Sequence, residues 1–411
     1  MWCKFLRTSM NSVEPFYQAR LSDRSESGST DFRMSKSQEL YLDLVRVCMA
    51  QFIVLSHFLH LSRNKSWLSE LPLDGLRVTV FFMLSGFLIF ATTWRRRDSG
   101  YGFKDFMLDR STRLWVCLVP ALIFSAVVAA FTMDLPDYPA LHASGPIQFI
   151  GNLLMLEDYP LFQILRRLGI ESAFFIRPYA SAEPYWTLPI EFWLYVVFGF
   201  LFFYVYMRRG RPRFWAMALM AIAGPAVIYH ASTGYGQCLS LVWALGCLGP
   251  WAIAVDRRVQ AHFNLSDRAT VGLILGWLAL CLSMLTLRGL SRPLNFYEFQ
   301  TVLFLAGFLM GLVWLTGRFN IDRVPVFTRS VRWLAKQSYA LYLTHNAVLT
   351  FYISHTGYDF SLGEGVALIV ACNVAAAPFY FLFDRRHKDV ARWLRTLPGL
   401  RAPPPGSRPA G

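Results

Sequence analysis

Apolar runs of about 20 residues, broken by short clusters of charge, recur along nearly the whole chain, and a run of that length crosses a hydrocarbon layer as a helix. The pattern places spans at 39–61, 75–94, 114–133, 185–207, 214–231, 237–255, 270–288, 299–317, 338–356 and 363–384. The fold class this implies is all-α: a polytopic membrane protein of about ten transmembrane helices in one bundle. Residues 1–37 are polar and Ser-rich and are expected to form a disordered cytoplasmic tail. Residues 38–385 form the transmembrane domain and 386–411 a cytoplasmic C-terminal tail, unstructured after Leu394 where Pro and Gly accumulate. Met34 is a candidate start, and the first span reads as an uncleaved signal-anchor. The connection 134–184 breaks the rhythm; its apolar stretch Ile147–Leu156 suits an interfacial or re-entrant helix.

Composition supports that picture. Of 411 residues, 55% are apolar and only 16% charged, where a soluble domain carries nearer a quarter. The net charge of +14 is no nucleic-acid signature, because the basic residues lie in clusters between spans with no basic stripe and no recognition motif. They set orientation instead. With the N-terminus inside, 31 Lys and Arg fall in inner segments and 8 in outer ones, Arg77 counted among the latter. Both termini are therefore expected in the cytoplasm. Seven cysteines, an odd number mostly single within apolar runs and without a C-x-x-C, indicate neither a disulfide framework nor a metal site.

A few ionisable residues stand inside the spans, where each needs a partner or a polar cavity. Arg46 and His57 lie eleven positions apart, which on a helix leaves them about 20° apart and about 16 Å along the axis. His57 reads either as packing glue between helices or as a general base taking a proton from an alcohol. Arg110 and Arg113, at i and i+3, suit a phosphate clamp, with positive-inside decoration as the bland alternative. Ser85-Gly86 permits close helix approach, and Ser85 is a poor nucleophile without an adjacent base. Trp186-Thr-Leu-Pro-Ile-Glu191 opens the fourth span, with Glu191 inside the hydrocarbon. His345 and Asn346 lie in the ninth span; His345 either bonds a neighbouring helix or lines the cavity, and Tyr339 and Tyr342 fit an aromatic belt.

Five segments in order resemble the acyltransferase-3 family of integral membrane O-acyltransferases: Leu42-Asp-Leu-Val-Arg46 with His57, Phe81-Phe-Met-Leu-Ser-Gly-Phe-Leu-Ile89, Arg110-x-x-Arg113, Trp186-Thr-Leu-Pro-Ile-Glu191 and Ser338-Tyr-Ala-Leu-Tyr-Leu-Thr-His345. The resemblance covers about residues 40–385. It implies transfer of an acyl group, usually acetyl, from cytoplasmic acyl-CoA to a hydroxyl of a glycan, a lipid-linked sugar or a small metabolite. It also implies residence in a bacterial inner membrane, no permanently bound cofactor, and membrane lipid, acyl-CoA and the acceptor as partners. His57, Arg46 and Glu191 would be catalytic, Arg110 and Arg113 would hold the CoA phosphates, and His345, Trp186, Ser85 and Tyr339 would line the cavity. Two positions depart from the family pattern: Leu114-Trp-Val116 stands where Ile-x-Pro is common, and Phe192 where a second glutamate is common. No esterase domain of the SGNH type follows, which implies the stand-alone form. The rivals are a transporter or flippase, which should show paired broken helices, a membrane O-acyltransferase of the other large class using His345 beside Asn346, and a non-catalytic subunit of surface-polysaccharide assembly.

Overall fold

The computed structural model describes residues 32, 34–61, 73–132, 145–170, 175–233, 237–263, 265–357, 359 and 361–398. The expected tail over 1–31 and the chain after 398 lie outside the described residues, as do Arg63 and Lys65.

The helices are α1 (Lys36–Leu61), α2 (Leu73–Arg95), α3 (Phe103–Phe131), α4 (Pro146–Leu153), α5 (Pro160–Arg167), α6 (Thr187–Phe200), α7 (Phe214–Ser232), α8 (Leu239–Cys247), α9 (Gly249–Phe263), α10 (Asp267–Ser291), α11 (Phe299–Thr316), α12 (Pro325–Thr356), α13 (Leu362–Leu382) and α14 (His387–Leu394). No strand occurs among the described residues. Nine segments among them are long and apolar enough to cross a bilayer, and the protein is a multi-pass membrane protein. Helix α12 is 32 residues long and is not one of the nine. Its polarity is the reason: Gln337, Ser338, Thr344, His345, Asn346 and Thr350 are all buried on it.

Apolar residues thus fill most of the interior and also cover the outside, while the polar residues of α12 face inward. Leu273, Leu275, Leu280, Leu282 and Leu287 of α10 are exposed, as lipid-facing side chains are. At the centre α12 packs against α1, α3 and α13, while α2 packs against α1 and α8. A reciprocal amide pair ties α1 to α13, with Gln51 and Asn373 each donating at 3.0 Å. Gly86 and Gly246 let α2 and α8 approach: a methyl group on Gly86 would sit 2.1 Å from the Trp243 carbonyl oxygen, and one on Gly246 2.2 Å from that of Met83.

The long connection folds as two short helices, α4 and α5, each opened by a proline at its first turn, where the missing N–H costs little. Trp115 Nε1 donates to the Leu153 carbonyl (2.9 Å) and Trp193 Nε1 to that of Met155 (3.0 Å), so indoles of α3 and α6 hold this cap in place. At the basic end, residues 386–394 of the expected C-terminal tail include α14, which lies back against α3.

Candidate active site

Helix α1 runs unbroken through both Arg46 and His57, and the structure separates their surroundings. Arg46 pairs with Asp43 one turn back (3.2 Å) and feels the charge of Arg113. It belongs to the basic end of the bundle. His57 meets a different guanidinium: Arg77 Nη2 donates to its Nε2 at 2.8 Å. Arg77 stands in the second turn of α2, is buried, and also reaches the Ile53 carbonyl at 3.5 Å. Counting it with outer-loop charges concealed this, although an ionisable residue within a span is a signal in itself.

Hydrogen-bond logic then fixes the state of the ring. A guanidinium only donates, so Nε2 of His57 is the acceptor and the imidazole is neutral. Its Nδ1–H points at Asn346 Oδ1 (3.3 Å), and Asn346 is held in that orientation by donating its Nδ2 to the Ser181 carbonyl (2.8 Å). The His57 ring lies edge-on to that of His345, centroids 5.1 Å apart. Among the described residues the His345 ring bonds no neighbouring helix; only its backbone carbonyl does, accepting from Cys372 Sγ (3.7 Å). The ring Nδ1 of His345 faces the Tyr342 and Leu341 carbonyls of its own helix (2.8 and 3.1 Å), which makes that nitrogen the donor and leaves Nε2 as a buried lone pair without a partner among the described residues.

A second cluster forms where α2, α6 and α8 meet. Ser85 Oγ donates to Glu191 Oε1 (2.6 Å), Tyr195 donates to the same oxygen (2.5 Å), and Trp243 Nε1 donates to Ser85 Oγ (3.1 Å). Glu191 and Tyr195 are four apart on α6 and share a face. Ser85 is therefore a hydrogen-bonding partner of Glu191, its proton directed at the carboxylate.

Helix α12 connects these groups. Tyr339 donates to the Leu114 carbonyl (3.1 Å), lies under the Arg113 guanidinium (4.8 Å to the ring centroid), and feels the charges of Arg113 and Glu191. One turn on, Tyr342 donates to the Pro184 carbonyl, is 2.7 Å from Thr187 Oγ1, and feels Glu157, Glu191 and Arg77. Both tyrosines spend their hydroxyls inside the bundle, where an interfacial belt was expected. Trp186 is half-buried in the 3₁₀ turn Glu183–Trp186 that leads into α6. The polar groups thus run from the arginines of α3, past Tyr339, Glu191 and Tyr342, to the two histidines.

The arginines of α3 differ from each other. Arg113 forms an ion pair with Asp384, a buried residue that no sequence motif marked. Arg110 lies 5.7 Å from the Phe106 ring centroid, and its buried Nε has no acceptor. Among the described residues no cluster of three or more His, Cys, Asp or Glu is arranged to hold a metal.

The family model for this acyltransferase domain matches residues 39–383. The chain belongs to the acyltransferase-3 family. It is 26% identical to Nodulation protein 10 of Rhizobium leguminosarum bv. viciae over 256 residues, 58% of this chain and 64% of that protein. It is 23% identical to Putative peptidoglycan O-acetyltransferase YrhL of Bacillus subtilis (strain 168) over 333 residues, 74% of this chain and 49% of that protein. The match thus spans less than two thirds of each relative's length. No solved structure matches. The Phe192 ring lies edge-to-face on Trp115, the residue between the departing Leu114 and Val116, centroids 4.9 Å apart at 88°. A glutamate at 192 would press a carboxylate into that aromatic contact, so the apolar pair at 115 and 192 is mutually consistent.

Proposed function

We propose that this protein is a bacterial inner-membrane O-acyltransferase. It takes an acyl group, acetyl by preference, from acyl-CoA at the end bearing Arg110 and Arg113, and delivers it to a hydroxyl of a glycan, lipid-linked sugar or small metabolite. The observation that carries this reading is the neutral His57, oriented by Asn346 on one nitrogen and facing a guanidinium on the other, at the far end of a line of polar side chains that begins at the donor arginines. The clusters of Lys and Arg support a cytoplasmic position for that donor end and for both termini.

The chemistry follows from those groups. The acceptor hydroxyl displaces an Arg77 N–H from His57 Nε2 and gives its proton to that nitrogen. Its oxygen attacks the thioester carbonyl carbon, the C–S bond breaks, and the CoA thiolate leaves and takes up the proton. Arg77, released from the imidazole, faces the oxyanion that develops on the carbonyl, as a preorganised cation should. Glu191, held by Ser85 and Tyr195, borders the route and fixes α2 against α6. Arg46 lies about 16 Å down the helix from His57 and adds positive charge where the CoA enters.

The test is mass spectrometry of surface glycans, lipids and secreted metabolites from a deletion strain, complemented with wild type or with His57→Gln, alongside transfer of radiolabelled acetyl from acetyl-CoA in membrane vesicles. Loss of an acyl mass increment, restored by wild type alone, is the expected outcome. Unchanged acylation in the deletion strain, together with no CoA-dependent transfer by vesicles, would overturn the assignment. A transporter would instead leave acylation intact and change where a solute accumulates.

A further inference from the structure

After α13 the chain turns back onto the bundle. Asp384, in the single 3₁₀ turn Asp384–Arg386, is buried against Arg113, and α14 then packs along the basic end of α3. Arg395 fastens the far end, with Nη2 donating to Asp109 Oδ1 (2.5 Å) and Nε to Asp105 Oδ1 (3.4 Å). Between α3 and this returning segment is an open cavity of about 770 Å³. Seven cations and three carboxylates line it.

Most of the cations are already neutralised. Arg96 pairs with Asp109 (2.9 Å), Arg395 with Asp105 and Asp109, Arg392 with Asp389, and Arg113 with Asp384. Three are left without a carboxylate partner among the described residues: Arg110 from α3, Arg385 from the turn and Lys388 from α14. Arg110 keeps a buried Nε with no acceptor, and Arg385 and Lys388 are exposed on the opposite wall. An uncompensated trio around one cavity fits a ligand with several phosphates. The family match stops at residue 383, so two of the three cations come from outside it.

We propose that Arg385 and Lys388 complete the donor site, binding with Arg110 the phosphates of CoA in the cavity between α3 and α14. This rests on the acyl-CoA reading above and adds to it the half of the site that the family segment does not supply. The returning segment acts as the second jaw of the nucleotide cleft. The Asp384–Arg113 pair sets its position, and Arg113, already paired, positions α14 more than it binds phosphate.

The experiment uses the full-length protein in nanodiscs and measures binding of CoA and of 3′-dephospho-CoA by titration calorimetry. Variants are Lys388→Ala, Arg385→Ala, the double variant, and Arg386→Ala as an exposed neighbour that does not line the cavity. Loss of a charge-assisted contact weakens binding by about tenfold, so each single variant should weaken CoA by that factor and Arg386→Ala should not. Wild type should bind the dephospho form more weakly than CoA, and the double variant should narrow that gap. Unchanged CoA affinity in both single variants, with wild type binding normally, overturns this proposal and leaves the donor reading intact. Wild type that binds no CoA overturns the donor reading and this proposal with it. Nanodiscs with and without anionic lipid separate a headgroup phosphate from CoA: if native mass spectrometry shows Lys388→Ala losing bound anionic lipid while its CoA affinity stays, the cavity is a lipid site.

Discussion

The sharpest discrimination lies between the two histidines, because the structure gives each a different claim. His57 is oriented by Asn346, but its Nε2 is covered by Arg77 at 2.8 Å; His345 Nε2 is buried and has no partner among the described residues. Glutamine separates role from packing. At 57, its carbonyl oxygen accepts from Arg77 and its amide donates to Asn346, reproducing both bonds of the imidazole, so folding stability should change by less than about 1 kcal/mol. What glutamine cannot do is take a proton near neutral pH. General-base catalysis contributes about 10²–10⁴-fold, or about 3–5 kcal/mol of barrier. His57→Gln should therefore lower the transfer rate by two to four decades at unchanged yield and melting temperature. His345→Gln keeps a donor to the Tyr342 carbonyl and should cost less than tenfold. The assay is acetyl transfer from labelled acetyl-CoA in vesicles, with thermal unfolding in detergent as the control for integrity. The reverse order, with His345→Gln inactive and His57→Gln near wild type, would refute the assignment and favour a mechanism built on His345 Nε2.

Two further outcomes test the frame around the site. Gly86→Ala places a methyl group 2.1 Å from the Trp243 carbonyl oxygen, more than 1 Å short of ordinary contact at ~3.4 Å, so α2 and α8 must part; a loss of about 1–3 kcal/mol is expected, read as a lower melting temperature, and activity should fall too because Trp243 bonds Ser85 beside it. An unchanged melting temperature would mean the helices are not in that register. Glu157, in the cap between α4 and α5, is buried with both carboxyl oxygens unpartnered, and burial, then Asp158 and Glu183, hold its acid strength well below the usual. Its carboxyl is thus protonated in the fold at pH values where the unfolded chain, ionising near 4.3, has lost the proton. Stability is full below that value and declines as pH rises toward the folded-state pKa. Glu157→Gln should flatten that decline and add about 1–3 kcal/mol at neutral pH, measured as the melting temperature across pH 4–8; an identical pH profile in the variant would refute it.

Much of this was legible in the chain. Spans are read from runs of apolar residues, and an all-helical bundle follows because lipid leaves backbone groups no other partner. The family segments led to His57, Glu191, Ser85 and His345, and the structure shows what each touches. Arg77 escaped because it stands near a span's end, where a charge reads as a loop residue, and only its distance to His57 reveals otherwise. Asp384 escaped for another reason. Its partner is 271 positions away, and no local pattern encodes a pairing set by the return of α14 onto α3. Tyr195 carried a usable signal, the i+4 spacing from Glu191.

The least apolar span turns out to be the most informative. Tyr339, Tyr342, His345 and Asn346 recur at three- and four-residue intervals on α12, the spacing of one helical face. That face meets Arg113 at one end and His57 at the other. Read as a candidate span alone, α12 looks marginal, since each polar residue counts against burial in lipid. Placed between α1, α3 and α13, the same residues are shielded from lipid by neighbours and bonded to them. A polar stripe on a membrane helix either bonds neighbouring helices or borders a route for something polar. The polarity that weakens α12 as a lipid-facing span does both: it bonds α12 to its neighbours and supports the proposed route from Arg113 to His57.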